Sequence, residues 1–298
     1  MQWFAYNGDA DGVCSMVQWA LAKGITGNRI TGVKRDIELL KKIDAKKGDS
    51  IIAMDISLAR NHFEARKLNS MGVEISWFDH HLPGEPIDGI VTNIDTSSNV
   101  CTAVIVQKYL RIESDWAQVA LHGDGLGQFA NNGDLAELGE LLNYNGYGAD
   151  LTDLHFHPDD LLLSCIEAKT PQKFIVSDAF KILKDGFEKD ILHTLNHPSK
   201  NNLTILPDEP WARRVVGVLA HRLIKTNGSP KVIALTKGVS FQISIRANDG
   251  VGEFCQNYGG GGRATAGGID LFPKNQIKAL MNAVNARWNT EGRDSAAR

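Results

Sequence analysis

Short apolar runs alternate with amphipathic stretches along the first hundred residues of the chain. The apolar runs predict strands at residues 3–6, 30–34, 50–54 and 73–78. The stretches between them have apolar residues at helical spacing and predict helices at residues 12–23, 36–43 and 61–71. This alternation favours an α/β fold with an N-terminal, mostly parallel sheet flanked by helices. Because such sheets bind ligands beyond the carboxyl ends of their strands, the residues that follow each strand are the first candidates for a site.

Beyond the predicted sheet the pattern changes twice. Residues 102–195 are mainly helical and predict a helical connector, whereas residues 196–210 are rich in Asn and Pro and predict a linker. Residues 211–298 combine helices and strands and predict a smaller C-terminal α/β domain. We therefore predict two domains, residues 1–195 and 211–298, with the polar end at residues 290–298 lacking regular structure.

Composition narrows the class of protein. The 298 residues are 43% hydrophobic and 22% charged, as in a soluble globular protein. No apolar run approaches the ~20 residues that a membrane span needs, and the first residues have no basic leader, so we expect a cytoplasmic protein without membrane contact. The four cysteines are far apart, which argues against a thiolate zinc site or a disulfide framework. The net charge of −3 argues against binding of long duplexes.

Three acidic segments directly follow predicted strands. They are residues 7–12 (Asn-Gly-Asp-Ala-Asp-Gly), Asp55, and the run Asp79-His80-His81. Each segment alone is commonly a turn or a helix cap. Together they bring carboxylates to one edge of a parallel sheet, where these groups repel one another unless divalent cations are bound. Imidazole ligands shift the expected preference from magnesium towards manganese, iron, cobalt or zinc.

The order of these motifs resembles the DHH phosphoesterase superfamily, through Asp9-Ala10-Asp11-Gly12, then Asp55, then Asp79-His80-His81. The resemblance is to the branch that contains RecJ-type exonucleases, oligoribonucleases and cyclic-dinucleotide phosphodiesterases. It extends to residues 259–268, a glycine-rich segment similar to that of the substrate-binding domain that accompanies DHH domains. The family has a fourth aspartate in a helix-rich stretch, for which Asp124 is the candidate and Asp134 the alternative.

The resemblance implies a pair of divalent cations, Mn²⁺ with Mg²⁺ or Co²⁺ as alternatives. The implied metal ligands are Asn7, Asp9, Asp11, Asp55, His80 and Asp124. Asp55 is implied to bridge the two cations, with Asp9 and Asn7 on one side and the other three ligands on the opposite side. His81 is implied to contact the scissile phosphate, and it forms the predicted catalytic set with Asp79 and Asp55.

The resemblance also implies substrate-binding residues in the C-terminal domain. They are Arg246, Gly260, Gly261, Gly262 and Arg263. Glycine allows backbone N–H groups to approach a phosphate closely, and an arginine side chain binds a phosphate through two hydrogen bonds. Two positions depart from the family pattern, since Asn7 stands where members carry His or Asp, and Arg263 stands where the glycine signature usually ends in His.

The predicted function is hydrolysis of phosphodiester bonds in short single-stranded oligonucleotides or dinucleotides. One alternative is a pyrophosphate or polyphosphate phosphohydrolase, although the sequence has neither the extra upstream His nor the lysine-rich terminal motif of the related pyrophosphatases. Another is a nucleotide-binding regulatory protein in which Asn7 reflects weakened catalysis, although the other ligands are retained. The choice between RNA and DNA, the direction of attack and homodimerisation through the helical stretch stay open.

Overall fold

The computed structural model describes residues 1–288, apart from the side chains of His221, Lys225, Thr226 and Asn227. The chain divides into two units, Met1–Gly186 and Phe187–Arg298. The polar end at residues 290–298, predicted to lack regular structure, lies outside the described residues. No helix within residues 1–288 combines the length and the apolar character needed to cross a membrane.

The first unit contains a five-stranded sheet in which every pair of neighbours is parallel, in the order β2-β1-β3-β4-β5. Its strands are β1 (Gln2–Tyr6), β2 (Asn28–Ile30), β3 (Ser50–Met54), β4 (Glu74–Asp79) and β5 (Val91–Ile94). The prediction of a mostly parallel α/β sheet is confirmed. The central strands were predictable because both faces of a parallel sheet are covered, so these strands are continuous apolar runs.

Three details of this unit differ from the sequence-based prediction. The strand predicted at residues 30–34 ends at Ile30, and the helix predicted at residues 36–43 is a short 3₁₀ turn, Leu39–Lys42. The edge strand β5 was not predicted, since its side chains are exposed or half-buried and its sequence has no apolar run. Short edge strands receive their conformation from the neighbouring strand rather than from their own composition.

Helices cover the sheet and continue beyond it. They are α1 (Ala10–Lys23), α2 (Leu58–Ser70), α3 (Thr102–Leu110), α4 (Asp115–Gly123), α5 (Ala136–Gly146), α6 (Pro158–Ala168), α7 (Pro171–Phe174) and α8 (Asp178–Thr194). Helix α1 is buried from Ala10 to Trp19, which explains its nearly continuous apolar and small residues. On one face of the sheet, Ile51, Ile75 and Trp77 pack with Leu68 of α2 in a single core.

The second unit has its own five-stranded sheet, in the order β6-β7-β8-β10-β9. The strands are β6 (Leu203–Leu206), β7 (Lys231–Lys237), β8 (Ser240–Arg246), β9 (Gly261–Gly262) and β10 (Ala266–Pro273), and the helices are α9 (Pro210–Asn227), α10 (Val251–Gln256) and α11 (Ile277–Trp288). The residues predicted as a linker, 196–210, contain β6, which pairs with β7. This unit begins at Phe187, ahead of the predicted boundary, because β6 and the end of α8 pack within it.

Candidate metal centre

The acidic motifs lie where the first sheet ends. Asn7 directly follows β1, Asp55 directly follows β3, and Asp79 is the last residue of β4. These three strands are adjacent in the sheet, so the three side chains meet at its carboxyl edge, and all three are buried. We call Asp9, Asp11, Asp55, Asp79 and Asp124 the acidic cluster.

The turn from β1 into α1 positions the first two members of the cluster. Oδ1 of Asp9 accepts hydrogen bonds from the backbone N–H groups of Asp11 and Gly12, both at 3.1 Å, so that Asp9 is the N-cap of α1. Gly12 is required by a close approach, since a Cβ there would lie 2.1 Å from the carbonyl oxygen of Asn7. The segment of residues 7–12 therefore caps helix α1 and also contributes side chains to the site.

The start of α3 holds Asp11 and Asp55. Asp11 accepts hydrogen bonds from the backbone N–H groups of Thr102 at 2.7 Å and Ala103 at 2.8 Å. A helix N-terminus stabilises negative charge, which offsets part of the cost of burying Asp11. The hydroxyl of Thr102 also donates to Oδ1 of Asp55 at 3.1 Å. Sequence reasoning missed Thr102, because nothing in the sequence indicates that the start of α3 lies against the strand ends.

Asp55 has the most unfavourable electrostatic position of the cluster. Burial raises its pKa well above the usual range, and the neighbouring carboxylates of Asp11, Asp9, Asp79 and Asp124 raise it further. Burial likewise raises the pKa of Asp11, with the Asp124 and Asp9 carboxylates adding to it and His80 opposing it. Asp55 also has a left-handed backbone, with φ of 57°, a conformation that costs energy in a non-glycine residue. Strain and crowded charge at one residue indicate a functional site, because neither stabilises the fold.

His80 lies at the centre of three carboxylates. Its Nε2 atom is 3.8 Å from Oδ2 of Asp11, 3.6 Å from Oδ1 of Asp55 and 3.7 Å from Oδ2 of Asp124. Its Nδ1 atom lies 3.0 Å from the carbonyl oxygen of Val100 and therefore donates to it. In the neutral ring this leaves a lone pair on Nε2, directed at the carboxylates. A ring nitrogen among oxygen ligands, with the other nitrogen bonded to a carbonyl, is the usual arrangement of a metal-binding histidine.

Asp79 and His81 form a second pair beside this group. Oδ1 of Asp79 accepts from the backbone N–H of His80 at 2.9 Å and lies 2.7 Å from Nδ1 of His81. The His81 side chain is 37% exposed, so its outer edge faces solvent while the inner edge is held by a buried carboxylate. Oδ2 of Asp79 is buried and has no hydrogen-bond partner among the described residues. An imidazole oriented in this way is suited to contacting a phosphate that approaches from solvent.

The donor set fits a divalent cation. Ligand atoms of Asp11, His80 and Asp124 lie within 4.8 Å of one another, as do those of Asp55, His80 and His81. His80 has one ring nitrogen available for both groups, so the two groups share a centre. Asp124 follows the last residue of α4 and belongs to this centre, whereas Asp134 is exposed and belongs to neither group. Oxygen ligands with one imidazole are typical of Mn²⁺ and related ions.

Asp9 differs from the rest of the cluster in its ion pair with a lysine. Its Oδ2 atom forms a buried ion pair with the ammonium group of Lys34. Burial alone would raise the pKa of Asp9, but Lys34 outweighs it and lowers this pKa to about 2. Oδ1 of the neighbouring Asn7 is buried without a hydrogen-bond partner among the described residues. Lys34 lies in a stretch whose sequence gave no sign of a role in the site.

The predicted substrate-binding residues lie in the second unit. Arg246 ends β8, and its guanidinium group donates to the carbonyl of Ile245 at 3.0 Å, while Arg263 is exposed after β9. The N–H of Gly260 donates to the carbonyl of Cys255 at 2.9 Å, so this glycine does not direct an N–H at a ligand as predicted. A Cβ at Gly260 would lie 2.1 Å from the carbonyl oxygen of Gly268. Close packing of strands is therefore one reason for the glycine run.

Comparison with known proteins agrees with this geometry. Residues 3–125 match the family described as the DHH family, N-terminal domain. No curated protein sequence matches the chain. Among solved structures, the chain is similar to a pGpG-specific phosphodiesterase, PggH from Vibrio cholerae, with 14% identity, a TM-score of 0.56, and coverage of 96% of this chain and 99% of that one.

Two further structures share the fold. The exonuclease RecJ bound to manganese has 16% identity and a TM-score of 0.54, over 96% of this chain and 88% of RecJ. An exopolyphosphatase-related protein from Bacteroides fragilis has 14% identity and a TM-score of 0.52, over 96% of this chain and 91% of that one. At these identities the likeness concerns the fold. The match at residues 3–125 contains all four acidic motifs, so this part of the first unit is similar to the N-terminal domain of the DHH family.

Proposed function

We propose that this protein is a metal-dependent phosphoesterase that hydrolyses phosphodiester bonds of dinucleotides or short single-stranded oligonucleotides. The observation that supports the proposal most is the position of Nε2 of His80, 3.6–3.8 Å from the buried carboxylates of Asp11 and Asp55 and the partly buried carboxylate of Asp124. Buried carboxylates at this spacing are unfavourable without a cation and are hard to explain as structural elements. The match of residues 3–125 to the DHH family and the fold shared with PggH and RecJ support the phosphodiester substrate class.

In this proposal each residue of the site has a distinct task. Asp11, Asp55, His80 and Asp124 hold the cation, which we expect to be Mn²⁺, with Mg²⁺ or Co²⁺ as alternatives. When bound, such a cation makes water more acidic and neutralises charge on phosphoryl oxygens. His81, oriented by Asp79, donates a hydrogen bond to the phosphate and stabilises the charge that develops on its oxygens. We assign Arg246 and Arg263 of the second unit to phosphate binding through charge-assisted hydrogen bonds.

A polyphosphate or pyrophosphate substrate is the second candidate, and the fold shared with the exopolyphosphatase-related protein is the observation that favours it. Both candidates require the same metal centre, so the substrate distinguishes them. The third candidate is a regulatory protein that hydrolyses none of these substrates, and the same experiment distinguishes it from the two enzymes. We expect the protein to act in the cytoplasm, where all of these substrates occur.

The test is Mn²⁺-dependent hydrolysis of a substrate panel. The panel contains a 5′-phosphorylated dinucleotide, a longer single-stranded oligonucleotide, a cyclic dinucleotide, pyrophosphate and polyphosphate. We expect the dinucleotide and the short strand to be hydrolysed, and Asp55→Asn to abolish this, whereas Asp134→Asn at an exposed aspartate outside the cluster should retain full activity. Hydrolysis of polyphosphate alone would favour the second candidate, and Mn²⁺ binding without turnover of any substrate would favour the regulatory protein.

A further inference from the structure

We propose that the ammonium group of Lys34 replaces one of the two cations expected at the acidic cluster, so that this protein binds a single divalent cation. The inference deepens the proposed function, because it concerns the same site. It rests on contacts of Lys34, on the division of the carboxylates between partners, and on the ligands that a second cation would find.

Lys34 is held in place by several contacts. Besides Asp9, its ammonium group donates to Oδ1 of Asn143 at 3.1 Å. Its backbone N–H donates to the carbonyl of Gly146 at 2.7 Å, and the ring of Tyr147 lies 5.7 Å from the ammonium group. These partners belong to α5 or directly follow it, so the end of this helix positions both the backbone and the side chain of Lys34. Its position against Asp9 is therefore part of the fold rather than one conformation of a surface lysine.

The five carboxylates fall into three sets by their lysine or histidine partner, and Asp9 also contacts Asp55 of another set. Asp9 pairs with Lys34, and Asp79 pairs with the ring of His81. The other three, Asp11, Asp55 and Asp124, surround Nε2 of His80. These three carboxylates and one ring nitrogen form one complete ligand set for one divalent cation. Two groups of acidic and imidazole side chains within residues 1–288 are spaced to hold a metal ion, and neither group includes Asp9.

A second cation at Asp9 would find poor ligands. Oδ1 of Asp9 already accepts two backbone hydrogen bonds, and Oδ2 carries the ammonium group. The other expected ligands are Asp55, which also faces the His80 group, and Asn7, which contributes a neutral amide oxygen in place of the charged or imidazole group usual in the family. A divalent cation there would also lie beside the ammonium charge in a buried site, where like charges repel strongly. Removing the ammonium group would leave Asn7 and Asp9 able to bind a cation.

The test counts Mn²⁺ bound per chain, by native mass spectrometry and by equilibrium dialysis with metal analysis. We expect one Mn²⁺ in the wild type and in Lys34→Arg, which keeps the charge, and two in Lys34→Met. The matched control is Lys42→Met, at an exposed lysine paired with Asp36, for which we expect one. Two Mn²⁺ in the wild type, or one in a folded Lys34→Met protein, would overturn the inference.

The wild-type protein also provides a test that needs no variant. Its electron paramagnetic resonance spectrum with saturating Mn²⁺ should be that of an isolated ion, and the spectrum of an exchange-coupled pair would contradict the inference even where Lys34→Met fails to fold. The outcome is separate from that of the proposed function. Binding of one Mn²⁺ without any hydrolysis would support the single-cation inference and contradict the proposed function. Binding of two Mn²⁺ with hydrolysis of dinucleotides would contradict the single-cation inference and support the proposed function.

Discussion

Nδ1 of His80 donates a hydrogen bond to the carbonyl oxygen of Val100 over 3.0 Å. Val100 lies two residues ahead of α3, whose first N–H groups hold Asp11, so one short segment orients both a ring and a carboxylate of the metal centre. This segment connects the carboxyl edge of the sheet to the helices that follow. We therefore expect residues at the start of α3 to influence metal binding without contacting the cation.

Thr102 is expected to tune metal binding without contacting the cation. Thr102→Val removes the hydroxyl that donates to Asp55 and keeps the side-chain shape. We expect Mn²⁺ affinity to fall by roughly 10–100-fold, as is typical for a residue that orients a ligand. Thr102→Ser restores the donor and should restore affinity. Calorimetric titration with Mn²⁺ measures both, and equal affinity of the Val variant and the wild type would show that the hydroxyl is dispensable.

Asp55→Asn should stabilise the metal-free protein. Folding raises the pKa of the Asp55 carboxyl group. Such a group lowers the free energy of unfolding as pH rises above its unfolded pKa of about 3.9, because the folded state disfavours its charged form. Asn removes the charge and tolerates the left-handed backbone. We expect Tm in EDTA at pH 7 to rise by about 2–4 °C for each kcal/mol gained, and the stabilisation by added Mn²⁺ to disappear. A lower Tm in EDTA would contradict this account of the site.

Asp124 and Asp134 offer a matched pair of substitutions. Asp124→Asn removes a carboxylate that faces His80, whereas Asp134→Asn changes an exposed carboxylate outside both metal groups. We expect the first to weaken Mn²⁺ binding by more than the roughly 100-fold typical of an orienting residue, and the second to leave binding unchanged. Metal titration of both variants decides between them. Weaker binding in Asp134→Asn alone would assign the fourth ligand to Asp134.

Alanine substitutions of His81 and His80 should distinguish a residue needed for catalysis from a residue needed for metal binding. His81→Ala removes a half-exposed ring that is paired with Asp79 and does not face Asp11 or Asp124 in the other ligand group. We expect Mn²⁺ binding to persist while kcat falls by roughly 100–1,000-fold, the usual cost of losing a group that stabilises transition-state charge. His80→Ala should abolish both. The comparison requires kcat and Mn²⁺ affinity for each variant, and a parallel loss of metal in His81→Ala would make His81 a ligand.

The ion pair between Lys34 and Asp9 should make stability depend on pH in the acid range. Folding lowers the pKa of Asp9 to about 2, so its stabilising contribution is complete above about pH 4 and is lost as pH falls towards 2. The difference between unfolded and folded pKa corresponds to about 2 kcal/mol. Urea unfolding in EDTA should therefore show a difference between wild type and Lys34→Met that shrinks by about this amount between pH 6 and pH 2. A difference that stays constant over this range would show that the pair does not stabilise the fold.

The sequence by itself determined the central sheet and the order of its acidic motifs. Strands β1, β3 and β4 are buried on both faces and are therefore continuous apolar runs, and the chain direction of parallel strands brings their ends to one edge. Asp9, Asp55 and Asp79 were predictable as neighbours for this reason. Strands β5 and β6 were not, because their pairing depends on neighbours distant in the sequence.

Tertiary structure alone decided which partner each carboxylate has. The contacts of Lys34 with Asp9, of Thr102 with Asp55 and of Asp124 with His80 join residues 25, 47 and 44 positions apart in the chain. No local pattern records such contacts, since they depend on how α3, α4 and α5 pack above the strand ends. The side-chain chemistry of the motifs predicts a cation site at this edge, whereas the contact of Lys34 with Asp9, from which we infer a single cation, is formed only by packing.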